Sequence, residues 1–399
     1  MDKNNGAIYD ARKLGKPKMI ILGVQHMFAM FGATILVPIL TGLDISTTLL
    51  MAGLGTLLFH CITKFKVPAF LGSSFAFLGG YAAIKAFSPN DPNSMLPYAC
   101  LGVACAGLIY FILAAVIKAV GIEKVMRFFP PVVTGPIIIA IGLGLAPSAV
   151  SNCTTNWFLA VVALAVIVVF NIWGKGMAKI IPIILGLLIS YGTGLVLYFI
   201  SQANPDLIQN VPWLFAGGAD ANGVYQPIFD FTSLNTICDN ISKGHIFGSE
   251  GLIGIPIHWD KTVFGGIDYS NGALIASSII AIVPIAFATM MEHIGDICAI
   301  SSTTGNNYIK DPGLHRTLVG DGLATTLASL FGGPANTTYG ENTGVLALTR
   351  VYDPRVIRIA AYFAVAVSFF PIVSVIIGSI PSCIIGGISF VLYGMISAI

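Results

Sequence analysis

Apolar runs separated by short polar or basic connections fill almost the whole of this 399-residue chain. Twelve are long enough to cross, or nearly cross, a bilayer: 19–40, 45–62, 67–87, 96–119, 129–149, 156–174, 179–201, 271–298, 316–332, 334–349, 356–378 and 381–399. Two of them are interrupted. The third contains Pro68-Ala-Phe-Leu-Gly-Ser-Ser-Phe-Ala-Phe-Leu-Gly-Gly80, and the tenth contains Pro334-Ala-Asn-Thr-Thr-Tyr-Gly-Glu-Asn-Thr-Gly344. Clusters of Gly, Ser, Thr and Asn favour extended or turn backbone, so each is expected to be a short extended stretch followed by a half-helix. Unpaired backbone is tolerated at membrane depth only where it lines a cavity or meets a counterpart. The two stretches are therefore expected to pair antiparallel near the midplane. A simple glycine packing seam would explain the glycines but not Glu341.

The interruptions belong to a repeat. Gln25-His26 recurs as Glu292-His293, Gly53 and Gly55 as Gly320 and Gly322, and Ser74-Phe75 as Glu341-Asn342, all at an offset of 267. Seven runs precede the long polar segment 201–269 and five follow it, so the second half starts in the opposite orientation. This is the pattern of an inverted-repeat secondary transporter, with substrate bound at the broken segments. The twelfth run aligns with the fifth through Pro381/Gly386 and Pro130/Gly135, and the chain stops in an apolar stretch at Ile399. Counterparts of the sixth and seventh runs, the last two helices of a complete repeat, are expected to be absent from this sequence.

Composition agrees with the pattern. The chain is 56% hydrophobic and 10% charged, with mean hydropathy +0.86, against about 25% charged in soluble domains. With the N-terminus inside, seventeen of the twenty Lys and Arg fall in inside segments, and only Lys85, Lys243 and Lys261 fall outside. That asymmetry orients the N-terminus to the cytoplasm. The run 19–40 after the basic start is too long for a signal-peptide core and reads as the first helix. Segment 201–269 is expected outside, with structure of its own; Trp213, Phe215 and the run 252–259 are candidates for the membrane surface. The seven cysteines contain no CxxC, and only Cys153 and Cys238 fall in outside loops where they could pair.

Three acids, Glu292, Asp296 and Glu341, fall well inside spans, and Asp321 reads as shallow. An intramembrane carboxylate is a functional-site hypothesis by default, and no Lys or Arg lies deep in a span to pair with these. Glu292 and Asp296 are four apart, on one helix face. Carboxylates, backbone donors at the half-helix starts and an aromatic face (Phe75, Tyr339) suit a small, planar, neutral molecule with both N–H and C=O groups. So many acids disfavour an anion, and a metal cation would need more oxygen ligands. His26 and His293 each read as structural histidines fixing a neighbour, with proton transfer as the competing role. No HExxH, GxSxG or Cys/His cluster supports a membrane enzyme.

Tyr339-Gly-Glu-Asn-Thr-Gly-Val-Leu-Ala-Leu-Thr-Arg350 resembles the signature of the nucleobase/ascorbate transporter (nucleobase–cation symporter-2) family, with Glu341, Asn342, Gly344, Thr349 and Arg350 filling it. Gln25–Thr34, Pro68–Phe77, Glu292–Asp296 and Asp311–Arg316 also resemble the family's bacterial uracil permeases. The resemblance implies an all-α polytopic fold of fourteen segments in two inverted sevens. Its core domain would be 19–120 and 271–380 and its gate domain 121–201 and 381–399, with tail 1–18 and outer loop 202–270. It implies substrate contact by Glu292, Glu341, the backbone amides of Phe75 and Gly340 beside Ser74, and Tyr393 from the gate. Glu341 favours uracil, since purine-type members commonly carry Gln there. The expected activity is proton-coupled uptake of uracil across the cytoplasmic membrane, with H+ as coupling ion, no cofactor, no nucleic acid, lipid around it and a gate-mediated homodimer. Glu292 is expected to be the coupled acid, with Asp296 tuning it. A xanthine or purine symporter of the same family, or an anion transporter of the same general fold, are the alternatives.

Overall fold

The uninterrupted apolar runs are helices in the computed structural model, which describes residues 7–121, 124, 131–220 and 222–398. Lys3, Arg127, Pro130 and the Glu341 side chain lie outside the described residues. In chain order the elements are α1 (Lys16–Thr41), α2 (Ile45–Ile62), β1 (Leu71–Ser73), α3 (Leu78–Lys85), α4 (Leu96–Val120), α5 (Pro131–Cys153), α6 (Trp157–Trp173) and α7 (Pro182–Ala203). The polar segment then contributes β2 (Ala216–Ala219), β3 (Tyr225–Pro227) and α8 (Thr232–Ser242). There follow α9 (Gly272–Ile282), α10 (Ala286–Thr304), α11 (Leu314–Leu330), β4 (Asn336–Thr338), α12 (Gly340–Thr349), α13 (Pro354–Ser368), α14 (Pro371–Gly378) and α15 (Ser382–Ala398).

Two runs read as single spans are divided. Pro284 lies in a 3-10 turn between α9 and α10, and Pro371 opens α14 after a break of two residues from α13. Proline lacks the N–H that an uninterrupted helix needs. Among the described residues, five helical stretches are by themselves long and apolar enough to cross a membrane (16–41, 45–62, 92–120, 182–203 and 272–304). The chain is a mostly helical, multi-pass membrane protein.

The chain divides into two compact units, 1–134 with 255–370, and 135–254 with 371–399. In the first, α2 and α11 pack on each other, α2 also packs on α13, and α11 on α4. The repeated glycines sit at these crossings. A Cβ on Gly53 would meet the Ala361 carbonyl of α13 at 2.7 Å, and one on Gly322 would meet the Gly107 carbonyl of α4 at 2.6 Å. Gly320 lies against Phe59 of α2, and Gly55 against Ala324 of α11. Lipid tails compete with any apolar side chain, so close backbone approach through small residues is what holds membrane helices together. The four glycines thus sit where helices cross closely.

The same unit carries an N-terminal strap. Ile8 N–H donates to Arg350 O and Tyr352 N–H to Ile8 O, both at 2.8 Å. Tyr9 OH donates to Thr304 O at the end of α10 (2.7 Å), and Ala11 N–H to Asp353 Oδ2 (2.7 Å). Asp353 also caps α13 by accepting from Arg355 N–H at 2.9 Å. Asp10 meets both Arg12 and Arg355 at 2.9 Å. The Arg12 hydrogen bond pulls the Asp10 carboxyl down to about 2, so this pairing persists through neutral pH and is lost only as pH falls toward that value. Asp353→Ala removes a cap and strands the Ala11 N–H. It is expected to cost about 1–2 kcal/mol, read as a lower Tm of the purified protein that Asp353→Asn partly restores.

In the second unit α6 packs on α7 and α15. Asn156 caps α6 by accepting from Leu159 N–H (3.0 Å), and its Nδ2 donates to Ala216 O (2.8 Å), tying β2 to the helix. Phe229 stacks on Phe231 at 5.2 Å and meets the edges of Tyr191 (4.8 Å) and Tyr198 (5.9 Å). The polar segment is therefore ordered by an aromatic cluster. Trp213 stays 64% exposed while Phe215 is buried. All seven cysteines are free thiols, Cys153 and Cys238 included.

Candidate functional site

The two interrupted runs meet. β1 and β4 pair antiparallel in the register Leu71–Thr338, Gly72–Thr337 and Ser73–Asn336. Ser74 N–H donates to Ala335 O (2.8 Å) and Tyr339 N–H to Phe70 O (3.1 Å), extending the pairing beyond each end. An isolated two-stranded pair is marginal, and here the flanking helices grip it. Leu71 N–H donates to Thr56 Oγ1 (2.9 Å), Thr325 Oγ1 to Asn336 O (2.6 Å), and Asn336 Nδ2 to Met51 O (3.0 Å). Every one of these bonds satisfies a polar group that lipid could not.

Tyr339 braces this pair. Its ring lies where a Cβ on Gly72 would come within 2.5 Å, and its hydroxyl donates to Ser73 O at 2.8 Å. Thr34 Oγ1 of α1 donates to that hydroxyl at 3.4 Å, and Ser73 Oγ to Thr34 O at 3.0 Å. With Tyr339 only 5% exposed, the half-buried ring of Phe75 is the more open aromatic surface, just before α3. Ser74 is buried, and its Oγ has no hydrogen-bond partner among the described residues.

Gly340 opens α12 and is exposed; a Cβ there would lie 3.9 Å from Asp296 Oδ1. Asp296 is half-buried, and Glu292, one turn earlier on α10, is exposed. The structure thus brings together Glu292, Asp296, Gly340 and the first turn of α12, where the Glu341 backbone lies. No cluster of three or more His, Cys, Asp or Glu that could hold a metal occurs among the described residues.

Both histidines are fully enclosed. His26 Nδ1 lies 3.4 Å from Asn342 Nδ2, which also reaches His26 O at 3.4 Å. His293 Nδ1 lies 3.4 Å from both Thr338 Oγ1 and Asp321 Oδ2, and Phe59 meets its ring edge-on at 6.3 Å. Asp321, read as shallow from hydropathy, stands at the middle of α11 and is fully buried. Thr338 Oγ1 donates to Asp296 Oδ2 at 2.7 Å. Asp321 and Thr338 are functional candidates that sequence reasoning missed. A signal for Asp321 was present, since the repeated glycines 320 and 322 flank it.

The rest of the signature shapes α12. Gly344 is half-buried in it; Thr349 Oγ1 bonds back to Val345 O (2.8 Å) and accepts from Val351 N–H (3.4 Å), and Arg350 ends the helix in the left-handed conformation. The Arg350 carbonyl is the one that receives the N-terminal strap. Tyr393 lies in α15 of the second unit, buried and one turn from Ser389.

Residues 17–399 match the permease family. The chain is 37% identical to the uracil permease of Bacillus caldolyticus, covering 95% of this chain and 78% of that protein. It is 36% identical to the probable uracil permease of Haemophilus influenzae (98% and 82% covered), and 35% identical to the putative pyrimidine permease RutG of Escherichia coli (98% and 79%). Among solved structures, the transmembrane domain of the cyanobacterial bicarbonate transporter BicA matches with TM-score 0.64 at 14% identity, covering 98% of this chain and 90% of that one. SLC26A9 matches at TM-score 0.52 and 11% identity, covering 98% and 59%. At such identities these two structures share the fold alone. By the match along its length and by its identity to these relatives, the chain belongs to the permease family, in its nucleobase/ascorbate transporter group, beside the bacterial uracil permeases.

Proposed function

We propose that this protein carries uracil into the cell across the cytoplasmic membrane together with a proton, its N-terminus inside. The observation that carries the reading is the meeting of two strand-to-half-helix junctions beside acids of α10, with Gly340 against Asp296. A planar nucleobase presents ring N–H groups to carboxylates and carbonyls to backbone N–H donors. In this reading Glu292 and Glu341 take the ring N–H groups, while the amides near Phe75 and Gly340 take the carbonyls. Phe75 covers one face of the ring. Glu341 at the signature position, and relatives named as uracil permeases, favour a pyrimidine over xanthine. The proton is placed on Glu292, with Asp296 tuning it. The homodimer remains part of the same proposal by family resemblance.

Uptake of labelled uracil into cells lacking their own permease, with and without a protonophore, tests this directly. Protonophore-sensitive uptake, abolished in Glu341→Gln, is the expected result. Uptake that xanthine blocks and uracil does not would move the substrate to the purines. Uptake indifferent to the protonophore would remove the proton.

A further inference from the structure

Beneath the open acids lies a polar path that the proposed transport reading leaves unused. Thr338 stands on β4 opposite Leu71 and is 2% exposed. A hydroxyl has one proton to donate and lone pairs to accept with. Thr338 donates to Asp296 Oδ2 at 2.7 Å, and His293 Nδ1 lies 3.4 Å from the same Oγ1. That Nδ1 is also 3.4 Å from Asp321 Oδ2. Asp296, Thr338 and His293 therefore form a series that starts at the half-buried carboxylate and ends 3.4 Å from the unexposed Asp321 carboxylate. Neither Asp321 oxygen, nor His293 Nε2, has a hydrogen-bond partner among the described residues.

We infer that Thr338 is a positioning residue: its hydroxyl holds Asp296 in place and links it to His293, beside Asp321. When Asp296 takes a proton, its carboxyl still accepts from the Thr338 O–H, but the bond loses its charge assistance and weakens. Because Thr338 is paired in β4 two residues before Gly340, that change acts on the strand leading into α12. The other titratable groups around Asp296 are Glu292 and His293 on its own helix and Asp321 on α11, with Tyr110 of α4 near Asp321 and Glu292. His315 and Arg316 in the first turn of α11, Lys118 near the end of α4, and Lys310 with Asp311 between α10 and α11 lie toward helix ends. Thr338 is the hydroxyl on the β4 side of this group.

The inference deepens the proton-coupled reading and rests on it for its role in transport, but the hydrogen bond exists without substrate. The test compares wild type, Thr338→Val and Thr338→Ser in two measurements, the Tm of the purified, substrate-free protein from pH 5 to 9 and the pH profile of uracil uptake. In Thr338→Val, the inflections are expected to shift by about half a unit or more, with uptake at neutral pH down about tenfold. Thr338→Ser, which keeps the hydroxyl, should follow wild type. In an Asp296→Asn background, Thr338→Val should add no further shift. If Thr338→Val fails to fold, Thr338→Ala supplies the same comparison. An unmoved Tm profile in the hydroxyl-free variant, or Thr338→Ser behaving like Thr338→Val, overturns the inference. Absent uracil uptake by wild type overturns the transport reading instead, and the substrate-free profile then decides on Thr338 alone.

Discussion

Glu292→Gln is expected to bind uracil with nearly wild-type affinity and to lose accumulation against a gradient. Glu292 is exposed on α10, one turn from Asp296, and belongs to the open part of the site. Glutamine matches a protonated glutamate in shape and offers both a donor and an acceptor, but it has no proton to release. The substitution therefore holds the carrier in one of the two states a symporter must alternate between. Calorimetric binding to purified protein should change by no more than about threefold, under about 0.7 kcal/mol. Uptake in energised cells should fall from concentrative to equilibrating. Retained uphill transport would show that the coupled acid lies elsewhere, with Asp296 and Asp321 the next candidates.

Gly72→Val should abolish uracil binding. A Cβ at residue 72 would meet the Tyr339 ring at 2.5 Å and Thr34 Oγ1 at 2.7 Å. The ring cannot retreat without releasing its hydrogen bond to Ser73 O, which steadies β1. Overpacking a tight interior costs about 1–3 kcal/mol, and here the strain falls on the three-residue pairing that places both half-helices. We expect binding to weaken at least about a hundredfold, about 2.7 kcal/mol, with a lower Tm. Gly79→Ala is the control: it lies on α3, is exposed, and a Cβ there meets nothing within 4 Å. Equal binding by the Gly72 and Gly79 variants would show that the strand pair does not frame the substrate.

Much of this protein is set by local chemistry and is legible in the linear order of its residues. Long apolar runs in lipid have to become helices, because only intrasegment hydrogen bonds satisfy their backbone there. Most helices therefore begin and end within a few residues of the expected spans, apart from the two runs divided at Pro284 and Pro371, and the Gly/Ser and Asn/Thr interruptions become β1 and β4. The repeated glycines, the paired acids on α10 and the signature of α12 were equally legible, since each depends on spacing along one segment. Tertiary structure alone decided the rest. Asp321 read as shallow because hydropathy measures average apolarity along a segment and not which face of a helix is enclosed; its burial comes from α11 lying between α2 and α4. Tyr339 becomes a brace because Gly72, 267 residues away, leaves a hollow under its ring. The Asp296–Thr338–His293 series and the neighbouring Asp321 come from three segments whose side chains converge only after packing. Sequence determines such residues one at a time, whereas hydrogen bonds between distant segments exist only in the fold that brings them within reach.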